Sequence, residues 1–263
     1  MSAGRGRALP RVARPRARLL ALPVALLLAA CPRAAQHARP AAPAAPDARL
    51  AAIRAREDAL HTLRARFTAV TRMPDVERSA DGVLLVAKPD RFRLRLLLPF
   101  GITVCDYLTV GERSWIALPL ADARQREQLG EFAPFSRDDL GAAFLRGPYA
   151  FPGECEAAPA AGDDVWIRCR EGDALRRTLL ITGDVIVEET SYDGDSPRMV
   201  IRYSDYRDVD GTPLPFHIAL SYPQHQQSVD ITIQRYEVNP ALADGLFLPT
   251  PDSLPVASAE GGA

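Results

Sequence analysis

Apolar residues run together from Leu19 to Ala30, recur at helical spacing after position 48, and alternate with polar ones from Val76 onward. Each pattern predicts a different element. The first run covers about 12 residues, short of the roughly 20 that a membrane-spanning helix needs. Arg5, Arg7, Arg11, Arg14, Arg16 and Arg18 precede it with no acidic residue among them, and small residues close it. A basic segment, a short apolar segment and small residues at a cut site make a secretory leader.

After position 48, Leu50, Ile53, Leu60, Leu63, Phe67 and Val70 fall on one helical face. Arg54, Arg56, Glu57, Asp58, Arg64 and Arg66 fill the other. The spacing predicts an amphipathic helix over 48–70, ended at Met73-Pro74 and lying on a sheet or on a membrane surface.

Strands follow. The run 83–88 is bounded by Asp81-Gly82 and Pro89-Asp90, and in 91–96 arginines alternate with Phe92, Leu94 and Leu96. Segments 102–110, 113–118 and 123–129 continue the pattern. Ser136, with Asp139 three residues on, caps a short second helix, its apolar edge Leu140, Ala143 and Phe144, stopped at Gly147-Pro148. Further strands are expected over 153–158, 164–170, 176–182, 185–192, 198–206, 214–222 and 229–238. Asp193-Gly194 and Asp210-Gly211 are hairpin turns. The expected fold is mainly β (α+β): one curved antiparallel sheet of about 10–12 strands, with both helices on its concave side.

Cys31 divides the chain. Leu28-Ala29-Ala30-Cys31 resembles the bacterial lipobox, in which the cysteine becomes the lipidated first residue; an ordinary leader with a cysteine near its cut is the alternative. Two or more acyl chains would hold the protein on a bilayer stably. In enteric bacteria Asp at the next position retains such proteins at the inner membrane; Pro32 favours the outer membrane, facing the periplasm. The expected organisation is a cleaved leader over 1–30, a Pro/Ala-rich tether over 31–47, one domain over 48–250 and a fraying tail over 251–263. The 32 basic and 33 acidic residues include the six leader arginines. Without the leader the charge is about −7, a poor match for nucleic acid.

Three cysteines remain, in an oxidising compartment. Cys155 and Cys169 lie symmetrically about a polar turn near 160–163, a cross-strand position that suits a disulfide. Cys105 is left over as a buried thiol with no base nearby. Catalytic chemistry finds no purchase. There is no Gly-x-Ser-x-Gly elbow, phosphate loop or dinucleotide fingerprint. His37, His61, His217 and His225 lack partners at metal spacing, and Asp208-x-Asp210-Gly211 places its glycine too early for a calcium loop. Glu188 and Glu189 adjoin on a strand and so point to opposite faces. No metal, cofactor or enzymatic activity is expected.

Three segments, in order, resemble the LolA/LolB superfamily of periplasmic lipoprotein carriers and outer-membrane lipoprotein receptors. They are 88–95 with Pro99-Phe100-Gly101; Tyr203-Ser204-Asp205-Tyr206 with Val209-Asp210-Gly211 and Leu214-Pro215; and Gly245-Leu246-Phe247-Leu248-Pro249. The resemblance implies an open half-barrel whose apolar concave face holds acyl chains. The implied lining is Phe92, Leu94, Leu96, Ile102, Val104, Ile201, Tyr203, Ile231 and Ile233, which an ordinary filled core would equally require. It also implies that the apolar turn Leu97-Leu98-Pro99-Phe100 serves as the receptor branch's protruding hydrophobic loop, unless it tucks under the first helix. The lipobox matches the lipid-anchored receptor branch. The implied partners are acyl chains of lipoprotein or phospholipid and a periplasmic carrier protein. Residues 147–164 and the disulfide belong to neither branch's pattern, and a non-catalytic interaction lipoprotein remains the alternative.

Overall fold

The computed structural model describes residues 46–121 and 154–256. Cys31, the leader, the tether, the expected strand 123–129 and the expected second helix lie outside the described residues. Among the described residues a single α-helix, α1 (Pro46–Asp58), is followed by thirteen strands: β1 (Thr62–Met73), β2 (Val76–Ala87), β3 (Arg91–Leu97), β4 (Thr103–Val110), β5 (Arg113–Ala117), β6 (Glu154–Pro159), β7 (Val165–Glu171), β8 (Ala174–Thr182), β9 (Val185–Asp193), β10 (Ser196–Val209), β11 (Thr212–Tyr222), β12 (Gln227–Val238) and β13 (Leu254–Val256). All thirteen form one antiparallel sheet in the order β13-β5-β4-β3-β2-β1-β12-β11-β10-β9-β8-β7-β6. The sheet is curved and not closed, so the fold is mainly β with one described helix.

The helix expected over 48–70 is half helix and half strand. Leu60, Leu63, Phe67 and Val70 suit a helical stripe, but Leu63, Ala65 and Phe67 also alternate with Arg64, Arg66 and Thr68. Alternation wins because β1 has a partner on each side: β2 pairs with it along its length and β12 along most of it. A two-sided ladder satisfies every backbone group, and tertiary pairing of this kind overrides helix propensity. Asn239 holds the junction. Its Oδ1 accepts from the backbone N–H of His61 (2.8 Å) and Thr62 (3.2 Å), and its Nδ2 donates to the Ala59 carbonyl (3.0 Å). The tail expected to fray from 251 carries β13, which pairs with β5 through Leu254 opposite Ile116.

Strand alternation gives the sheet two faces. The inner face holds the main core: Leu63, Ala65 and Phe67 of β1, Leu94 of β3, Ile218 and Leu220 of β11, and Ile231 and Ile233 of β12. At its β6–β9 end the same face continues as Val165, Ile167, Leu179 and Ile181, onto which α1 sets Leu50 and Ile53. On the outer face, Leu85, Ala87 and Leu108 are covered by Leu242, Leu246 and Phe247 from the segment after β12.

Candidate functional site

Seven of the nine sequence-derived lining residues come together on the inner face: Phe92, Leu94, Leu96, Ile201, Tyr203, Ile231 and Ile233. Cross-strand register brings them there. Leu94 faces Leu84 on one side and Tyr107 on the other, and Ile201 faces Leu220. Ile102 and Val104 do not join them. The β3–β4 register shifts between Leu96 and Leu97, so Leu96 faces Cys105 and Leu97 faces Thr103, and Val104 falls in the bulge. Ile102 precedes β4 and is 49% exposed. Cys105 and Tyr107 therefore occupy the places expected of Val104 and its neighbours, and Tyr107 meets Phe92 edge-to-face at 6.3 Å. Burial lifts the Cys105 thiol to about 11, which leaves it protonated and unreactive. Sequence reasoning missed Leu63, Ala65 and Phe67, because the β1 segment fits both periods.

The face is graded. Ile201 and Ile218 are fully buried, whereas Phe92, Leu96, Tyr107 and Tyr203 are half-buried. One end of the sheet is covered by α1. Arg49 donates to the Asp163 carbonyl in the β6–β7 turn, Arg56 donates to the Asp184 carbonyl in the β8–β9 turn, and Lys88 of the β2–β3 turn donates to the Glu57 carbonyl. These turns all lie at the same end of the strands.

The apolar turn lies at the opposite end, where β3 runs into β4. Pro99–Gly101 forms one 3-10 turn. Leu98 is 37% exposed and Phe100 fully exposed, so the turn does not tuck under α1. Phe100 adopts φ +67°, a left-handed conformation unfavourable for a residue with a bulky side chain. Leu120, just past β5, and Leu254, at the start of β13, are exposed at the same end.

Two charged side chains interrupt the apolar inner face. Arg177 of β8 and Glu189 of β9 form a buried ion pair, and the Tyr203 hydroxyl lies 3.5 Å from Glu189. Burial pushes the Glu189 carboxyl up to about 7, against the opposing pull of Arg177. Burial and the neighbouring carboxylate push the Tyr203 hydroxyl well above its ordinary value. Glu188, one residue earlier, faces out and pairs with Arg202 at 3.0 Å. The sequence signal for the inward pair was present: Arg177 is in phase with Leu175 and Leu179, positions that alternate onto one face. At the edge of the sheet, Cys155 of β6 stands opposite Cys169 of β7 and is bonded to it.

His217 lies on the outer face. Its Nδ1 is 3.0 Å from Ser204 Oγ and its Nε2 is 3.4 Å from Asp230 Oδ1. Arg72 binds the second oxygen of that carboxylate. The four side chains form an exposed cross-strand polar network. Among the described residues, no group of three or more His, Cys, Asp or Glu side chains is placed to hold a metal ion, and no helix is long and apolar enough to cross a membrane.

No family model and no curated protein matches the chain. Solved structures do. A candidate outer membrane lipoprotein-sorting protein domain from Vibrio parahaemolyticus matches with TM-score 0.56 at 13% identity, over 76% of this chain and 94% of that one. A LolA superfamily protein from Nitrosomonas europaea matches with TM-score 0.56 at 12% identity, over 76% and 97%. A DUF1329 family protein from Desulfovibrio piger matches with TM-score 0.54 at 12% identity, over 77% and 97%. The chain has a LolA/LolB-like fold.

Proposed function

We propose that this is an envelope lipoprotein, anchored through lipidated Cys31, that binds acyl chains on the inner face of its half-barrel. It takes part in lipoprotein localisation at the outer membrane and exchanges cargo with a periplasmic carrier protein. The observation that carries this reading is the pairing of a broad apolar inner face with an exposed apolar turn. The half-barrel offers Phe92, Leu96 and Tyr107 still half-buried, on the strands that lead to the fully exposed Phe100. Burial of apolar chains on such a face returns about 25 cal/mol per Å2 and requires no catalytic group. Leu98 and Phe100 then contact the bilayer where cargo enters or leaves. The LolA/LolB-like fold supports the reading at the level of architecture.

The test is native mass spectrometry of the gently purified protein, followed by lipid extraction. A co-purifying phospholipid or acylated peptide that is lost on Leu94→Glu is the expected result. An apo mass that takes up no added fatty-acid probe overturns it. A second reading, a non-catalytic interaction lipoprotein with a filled core, draws on the full burial of Ile201, Ile218 and Leu84. It predicts the apo mass.

A further inference from the structure

The apolar inner face contains one feature that acyl binding alone does not require. Glu189 is flanked across the sheet by Leu179 and Ile201, both fully buried. Ser191, two residues on, is flanked by Met199 and Arg177, and Arg177 in turn faces Cys169 of the disulfide. An ion pair is thus set into a row of hydrocarbon. Removing two charges from water costs several kcal/mol per ion even after relaxation, and well-packed apolar residues commonly give equal or better stability. The Ser191 Oγ is buried with no hydrogen-bond partner. A buried hydroxyl without a partner is an open hydrogen-bonding position.

The geometry points to a head-group subsite in which Arg177, Glu189 and Ser191 receive the zwitterionic head of a phospholipid whose chains lie on the neighbouring apolar face. This rests on the acyl-binding reading above and narrows its cargo. Arg177 presents a planar fork suited to a phosphate. Glu189 presents a carboxylate suited to an ammonium group. The pair is neutral as a whole, so a head that is also neutral as a whole can exchange partners with it and leave no buried charge uncompensated. An anionic head would satisfy Arg177 and strand Glu189. The acylated amino terminus of a lipoprotein, an amide beside esters, would satisfy neither. The groups that face Glu189 are Arg177 from β8, Tyr203 from β10 and, through its charge, Glu57 from α1. The apolar positions beside the subsite continue across the sheet, Ile201 facing Leu220 and Leu220 facing Val229.

The experiment incubates the full-length protein with vesicles containing equal amounts of phosphatidylethanolamine and phosphatidylglycerol and a synthetic triacylated dipeptide. The bound lipid is then extracted and counted by class. The expected result is phosphatidylethanolamine enriched about tenfold over phosphatidylglycerol, equivalent to about 1.4 kcal/mol. Glu189→Gln and Arg177→Met should each keep chain uptake and lose the preference. A measurement on the unmodified protein guards against variants that do not fold. Phosphatidylglycerol uptake should rise relative to phosphatidylethanolamine when the pH is taken from one unit above to one unit below about 7, as Glu189 gains its proton. Uptake without head-group preference, or a preference for the dipeptide, overturns the subsite and leaves acyl binding standing. No uptake of any of the three overturns both.

Discussion

Arg93 of β3 grips the carboxylate of Asp106 on β4 with two hydrogen bonds, 2.8 Å from Nε and 2.6 Å from Nη2, on the outer face of the sheet. The same guanidinium donates from Nη1 to the carbonyls of Leu246 and Leu248, at 2.6 and 3.1 Å. One side chain therefore joins two strands to the segment that covers them. Both partners are buried, although alternation groups Arg93 only with Arg91 and Arg95 on the charged face of the strand. Asp106→Ala should cost about 3–5 kcal/mol, because it leaves a buried guanidinium without its counter-ion. Combining Arg93→Leu with Asp106→Ala should recover much of that, because no buried charge is then left unpaired in the pair. Urea unfolding of the two single variants and the double gives the coupling; purely additive losses would contradict it.

Gly82 is pinned by Phe67. A Cβ at position 82 would sit 2.0 Å from Phe67 Cζ, and the two residues are directly paired across β1 and β2. The ring lies over the glycine, where no other residue leaves room. Gly82→Ala should destabilise by about 1–3 kcal/mol through overpacking. Adding Phe67→Leu should make the alanine tolerable. If Gly82→Ala alone leaves the urea midpoint unchanged, the ring is not confined there.

The Cys155–Cys169 bond closes a loop with a sequence separation of 14 at the edge strand of the sheet. A loop of this length corresponds to about 3 kcal/mol in the chain-entropy account. Cys155→Ala with Cys169→Ala should lower stability by that order in urea unfolding. Intact-mass analysis before and after reduction should show a gain of about two hydrogens, and alkylation without reduction should then label neither residue.

Glu189 ties stability to pH. Its carboxyl is held up to about 7 in the folded chain, against 4.5 for an unperturbed group, by burial between Leu179 and Ile201. Between those two values the unfolded chain has released its proton and the folded chain retains it. The contribution of this group to stability therefore falls as pH rises through that window and is level above it. Urea midpoints measured across the window should decline in the unmodified protein and decline less in Glu189→Gln. An equal slope in both would assign the effect to other groups.

Phe100 separates surface function from stability. It is fully exposed and holds φ +67°, so its side chain contributes no burial and its backbone is strained. Phe100→Gly should leave stability unchanged or raise it by about 1 kcal/mol as the strain is relieved. The same substitution should reduce association with lipid vesicles or monolayers. A loss of folding stability without any loss of lipid association would mean that the turn serves the fold.

The division between what was legible and what was not follows from the range of each interaction. Alternation of Arg91 to Leu96 was enough to place Phe92, Leu94 and Leu96 on one face, and the symmetric spacing of Cys155 and Cys169 was enough to set them opposite each other. These are local properties of a pleated strand and of a short hairpin, written into consecutive residues. The apolar character of Leu98 and Phe100 was likewise plain, but their exposure was not, because it depends on which end of the sheet α1 covers.

The sequence by itself determined the strand periods after position 76, the hairpin turns, the cross-strand placement of Cys155 and Cys169, and the face of each strand up to its bulges. The tertiary structure decided the rest. It made 62–73 a strand by offering β2 and β12 as partners to a segment that satisfies both periods. It moved Val104 off the inner face through one bulge between β3 and β4. It brought Arg177 to Glu189 across adjacent strands and Arg93 to Asp106 beneath the C-terminal segment. The physical reason is the same in each case. A hydrogen-bonded neighbour or a buried counter-ion comes from elsewhere in the fold, and its contribution outweighs the weak local preferences that sequence patterns record.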